Sequence, residues 1–67
     1  MIELMEELGA ALSAGESIDD IMPLDLSGYS EANRIELLSI YITYGSDPDR
    51  VEVCKEKLKE MYRYAGR

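Results

Sequence analysis

Leu38-Ser39-Ile40-Tyr41-Ile42-Thr43-Tyr44 is the stretch on which the fold turns. It alternates and is rich in β-formers, so its pattern suits a strand as readily as a helix. A strand, however, must pair its backbone N–H and C=O groups. The rest of the chain holds no second strong strand candidate, so a solitary strand would need another molecule to complete it. The stretch is therefore assigned to a helix over about 30–44, capped by Ser27 or Ser30 and ended by Gly45.

Working outward, Asp47-Pro48 opens a further helix over 48–65, with Asp47 as N-cap and Pro48 at the first position, where no N–H is needed. Val51, Cys54, Leu58, Met61 and Ala65 follow as a narrow apolar seam, which makes Cys54 a small core residue. Beside the seam run a row of Glu52, Glu56 and Glu60 and a row of Lys55, Lys59 and Arg63, each base three residues after an acid. Each such pair is worth roughly 0.2–0.5 kcal/mol.

Toward the N-terminus, Leu4, Met5, Leu8, Ala11 and Leu12 recur at helical spacing and predict a helix over 2–14, stopped by Gly15. Ser17-Ile18-Asp19-Asp20 resembles a capped start and predicts a short helix over 17–22, limited by Pro23. Leu24 and Leu26 then anchor a connector. The expected fold is all-α: one domain, 1–67, a three-to-four-helix bundle.

The helix over 30–44 is apolar on two sides. Leu38, Ile42 and Ile35 form one stripe; Leu37, Tyr41 and Tyr44 form another, with Ile40 beside it. Together they span roughly 220°, where about 100° suffices to face one core. The first stripe is assigned to the core. The second needs the short helix and the connector, or a second protein molecule. Leu37, Ile40, Tyr41 and Tyr44 are thus the candidate protein interface, and a homodimer is the expected form; tyrosine suits interface cores.

Charge is divided unevenly. The 67 residues carry a net −7, with eight acids and no base in residues 1–33, and seven bases against six acids beyond. Arg50, Lys55, Lys59, Arg63 and Arg67 are the candidates for a nucleic-acid face. An acid row beside the basic one, and a strongly acidic N-terminal half, argue against that use. The spacing of the two long helices invites a helix-turn-helix comparison, but Asp47, Asp49 and Glu52 stand where bases would be read.

Catalytic chemistry has little to draw on. The chain has no His and one Cys, so disulfide frameworks, Cys/His zinc sites and His-dependent mechanisms are excluded. Acid pairs such as Glu6/Glu7, Asp19/Asp20 and Asp47/Asp49 sit at expected helix starts or exposed faces, where acids cap or are solvated. An EF-hand beginning at Asp25 fails, because Ser30 occupies the position that requires Gly. No phosphate-binding glycine loop is present. No enzyme, metal or cofactor is expected. The acidic N-terminus does not fit a signal peptide, and no apolar run reaches a membrane span, so a cytoplasmic protein is expected.

The function these features suggest is protein–protein binding by a small acidic helical protein. By analogy, bundles of this kind act as regulators, inhibitors or adaptors, some from phages and mobile elements, and some by acidic mimicry of DNA. The alternative is a helical regulator that binds nucleic acid through its basic C-terminal helix.

Overall fold

The computed structural model describes residues 2–65, with side chains described for residues 2–63. Three helices make up the fold: α1 (Ile2–Ser13), α2 (Glu31–Tyr44) and α3 (Pro48–Ala65). Among the described residues there is no strand, so the stretch 38–44 is helical. The side chains of Ala65, in the expected seam, and of Arg67 lie outside the described residues.

Local chemistry explains each boundary. Helix α1 ends in a Schellman motif: the Glu16 N–H donates to the Ala11 carbonyl at 2.8 Å and the Gly15 N–H to Leu12 at 3.2 Å. Gly15 has φ +72°, a conformation that L side chains resist, so glycine is required there. Ser30 caps α2 by accepting from the Asn33 N–H at 3.2 Å. Asp47 caps α3, its Oδ1 accepting from the Asp49 N–H at 3.0 Å and the Arg50 N–H at 3.4 Å.

The helix expected over 17–22 is a single turn instead. Ser17 does accept from the Asp19 N–H at 3.2 Å, as a cap would, but only the Ile21 and Met22 N–H groups follow, both donating to the Ile18 carbonyl at 3.1 and 2.9 Å. Six residues ahead of a proline cannot repay the cost of nucleating a regular helix. The turn still serves the core: Ile18 and Met22 are buried.

Helices α2 and α3 form a closely packed hairpin, whereas α1 keeps its Cα atoms more than 8 Å from those of both other helices. Helix α1 joins the core through Leu8 and Ala11, which are buried beside Ile18, Met22, Leu37, Leu38, Tyr41 and Cys54. The Cα extents are 40 × 26 × 17 Å, so the thin direction holds no more than two helix layers.

The core face of α2 is centred on Leu37, Leu38 and Tyr41, with Ile35, Ile40 and Ile42 half-buried around it. The expected division into a core stripe and an interface stripe is therefore corrected. Leu37 and Tyr41 belong to the interior of the chain itself, each 0 % exposed, because the neighbours of α2 cover the second stripe as far as Tyr41 and leave only Tyr44 of it exposed. Exposed positions on α2 are confined to Glu31, Ala32, Glu36, Thr43 and Tyr44.

Gly45 lets α2 turn into α3 against its own last residues. A Cβ there would lie 2.5 Å from the Tyr41 carbonyl oxygen and 2.6 Å from the Tyr41 ring. Gly45→Ala is expected to destabilise the protein by about 1–3 kcal/mol through overpacking. Gly9 lies inside α1 with open space around its Cα, so Gly9→Ala should instead stabilise by about 0.5–1 kcal/mol. Urea denaturation of the two variants measures both, and equal effects would contradict this account of Gly45.

Candidate functional site

The site is built around Arg50, in the first turn of α3. Asp47 and Pro48 fix the start of that helix and hence the direction in which Arg50 leaves it. Its Nη1 donates to the Asp19 carbonyl at 3.0 Å, and its Nη2 donates to the carbonyls of Met22 at 2.9 Å and Pro23 at 3.3 Å. These are carbonyls that the aborted helical turn leaves free. The same guanidinium lies over the Tyr41 ring, with Cζ 4.5 Å from the centroid. Two further bonds close the joint: the Ser46 N–H donates to Asp19 Oδ1 at 3.1 Å, and the Ser17 and Ser46 hydroxyls are 3.3 Å apart.

Tyr41 forms the floor of this joint. Its hydroxyl is buried without a hydrogen-bond partner. Burial pushes the phenol above its ordinary value of 10.0; the nearby Asp19 carboxylate adds to this, while the Arg50 charge opposes it. Cys54 is buried in the core and its thiol is raised by desolvation, so it is held protonated as a small packing residue.

Alongside the joint runs an apolar valley between the connector and α3, floored by α2. One section, about 360 Å³, lies over Leu37, Leu38 and Tyr41, with Met22, Leu24, Leu26, Val53 and Cys54 around it and Asp47 and Asp49 at its end. The next section, about 390 Å³, continues past Arg34, Lys57, Glu60 and Met61, beside Asp25. Leu24, Leu26, Leu38 and Lys57 line both sections. From Asp49 to Met61 the valley follows one face of α3 for roughly 18 Å. Leu24 on its rim is 81 % exposed and Val53 is 52 % exposed.

The residues expected from sequence to form an interface do not come together on the surface. Leu37 and Tyr41 reach only the valley floor, Ile40 is half-buried, and Tyr44 stands exposed outside the valley. The expected basic face is also divided. Arg50 is committed to the connector, while Lys55 and Lys59 lie 3.4 and 3.7 Å from Glu52 and Glu56. Arg63 is exposed. Leu24 was read only as a loop anchor and is 81 % exposed instead, and Val53 and Lys57 were not singled out, although both lie off the α3 seam and off its charge rows, a position that marks a separate face.

Neither the family models, nor the curated proteins, nor the solved structures compared with this chain give a match. Among the described residues, no helix is long and apolar enough to cross a membrane. Among the described residues, no group of three or more His, Cys, Asp or Glu side chains could hold a metal ion.

Two substitutions test the joint. Arg50→Met keeps much of the apolar stem but unpairs the three carbonyls, and should cost about 2–4 kcal/mol in denaturant unfolding. Arg50→Lys should recover less than half of that, since one ammonium cannot reproduce the planar fork. Tyr41→Phe removes an unpartnered hydroxyl and should change stability at pH 7 by less than about 1 kcal/mol. A raised phenol means that the unfolded chain releases its proton first. The stability this provides is complete below 10.0 and is lost as pH rises through the raised folded value. Stability should thus fall more steeply above pH 10.0 in the wild type than in Tyr41→Phe. Parallel curves would contradict the assignment.

Proposed function

We propose that this chain acts by protein–protein binding, as a small acidic regulator, inhibitor or adaptor without a catalytic step of its own. The observation that carries this reading is the open apolar valley with Leu24 and Val53 exposed on it. A folded chain that holds contiguous apolar side chains in water keeps an association surface available. The partner class is protein, a second copy of the chain included. The eight acids of residues 1–33 add a strongly negative half, suited to a target with a basic surface, and acidic mimicry of DNA is one form this would take. The aqueous compartment proposed for this activity is the cytoplasm.

The nucleic-acid alternative has less support. Its proposed contacts lose Arg50 to the connector carbonyls, and Lys55 and Lys59 each stand beside a glutamate.

The test compares the wild-type chain with Leu24→Asp/Val53→Asp as immobilised bait, with helix content checked by circular dichroism. A protein retained in near-stoichiometric amount by the wild type and lost from the double variant is the expected result. Equal retention by both would overturn the role given to the valley. Retardation of an oligonucleotide at ~50 mM salt, where phosphate contacts are strongest, would favour the alternative.

A further inference from the structure

We infer that α1 is a lid, which opens from the core as one unit about residues 14–16 while the connector stays tied to the hairpin of α2 and α3. This goes beyond the protein-binding reading and does not depend on the valley.

The directional ties across the fold stop at Ser17. From that residue onward the connector is bonded to the hairpin. The Ser17 and Ser46 hydroxyls are 3.3 Å apart, the Ser46 N–H donates to Asp19 Oδ1 at 3.1 Å, and Arg50 holds the carbonyls of Asp19, Met22 and Pro23. Among the described residues, none before Ser17 makes a hydrogen bond or an ion pair to the connector, α2 or α3. The N–H groups of Ala14, Gly15 and Glu16 return to α1 itself, at the carbonyls of Ala10, Leu12 and Ala11.

The grip of α1 on the core is narrow and apolar. Of its twelve residues only Leu8 and Ala11 are buried, with Leu4, Met5 and Leu12 half-buried beside them. Its Cα atoms stay more than 8 Å from those of α2 and α3, farther than closely packed helices approach. Glu3, Glu6 and Glu7 are exposed, and residues 1–33 contain no base, so no opposite charge in the connector holds the helix down.

The link between lid and body is open to water. Residues 13–17 are all exposed, so swinging α1 outward moves no buried backbone there. Once free, a helix of twelve residues with Gly9 in its interior does not sustain itself in water. Opening therefore melts α1 and frees its hydrogen-bonded amides in one step, uncovering the core residues against which Leu8 and Ala11 pack.

The experiment is native-state hydrogen exchange on the full chain, in rising sub-denaturing urea, for the wild type and Ser30→Ala. In the wild type, Leu8, Ala11 and Leu12 are expected to share one protection factor, at least about tenfold below those of Leu38, Tyr41 and Cys54. Urea should accelerate exchange in α1 with a smaller slope than in the hairpin, because opening the lid exposes less surface than unfolding the chain. Ser30 caps α2 from an exposed position, so its loss weakens the hairpin without touching the lid. Ser30→Ala should lower hairpin protection by about fivefold and leave that of α1 unchanged. One protection factor shared by α1 and the hairpin overturns the inference. So does an equal fall in both on Ser30→Ala, which is the mark of a single cooperative unit. Protection graded from Ile2 inward with no dependence on urea overturns it as well, because that is fraying and not a lid.

Discussion

An arginine that satisfies three backbone carbonyls is the constraint around which this small fold is arranged. Residues 17–23 start a helix and cannot continue it, because Pro23 follows within two turns. Their carbonyls at Asp19, Met22 and Pro23 would be costly to leave unpaired beside a core. Arg50 answers them from a different helix and rests its guanidinium on Tyr41 at 4.5 Å. Its placement depends in turn on the cap at Asp47, on Pro48, and on the close passage of Gly45 over the Tyr41 ring. The connector is thereby fixed to the hairpin of α2 and α3. Helix α1, whose Cα atoms stay more than 8 Å from both other helices, is held through side chains and through that connector.

The joint also determines the shape of the valley. Arg50 holds one wall at Met22 and Pro23, and α3 forms the other. Helix α2 supplies the floor from residues too large and too apolar to be left in water. What stays uncovered is a strip along α3 with Leu24 above it. The strip offers contact area and flanking charge, which is what the proposed binding of a protein surface would use. The Cys54 thiol and the Tyr41 phenol, its two groups with raised pKa, are both held in their neutral forms by burial.

Much of the fold was legible because its signals are local. Ser30, Gly15 and the Asp47-Pro48 pair mark helix ends through interactions spanning only a few residues, and each acts as its residue type predicts. The ambiguous stretch at 38–44 resolves as helix for the reason available in the sequence: no partner strand exists. The short helix at 17–22 was less legible. Its cap is real, but Pro23 has no N–H to offer the Asp19 carbonyl, so the turn stops and that carbonyl is taken by a residue about thirty positions away. The same long-range contact is invisible to composition, which groups Arg50 with the other bases of α3 in the nucleic-acid alternative. Whether Leu37 and Tyr41 are covered by the connector or by a second molecule stayed open, because helical periodicity shows how wide an apolar arc is, not which neighbour covers each part of it. Leu24 and Leu26 looked equivalent as loop anchors; only three-dimensional packing separates the half-buried Leu26 from the exposed Leu24.

Native-state hydrogen exchange on Arg50→Met addresses the joint most directly. If the arginine ties the connector and α1 to the hairpin, amides of Leu8, Ala11, Leu12 and Met22 should lose protection by about tenfold or more relative to those of Leu38 and Tyr41. A uniform loss across all three helices, or no loss in α1, would contradict the central place given to Arg50.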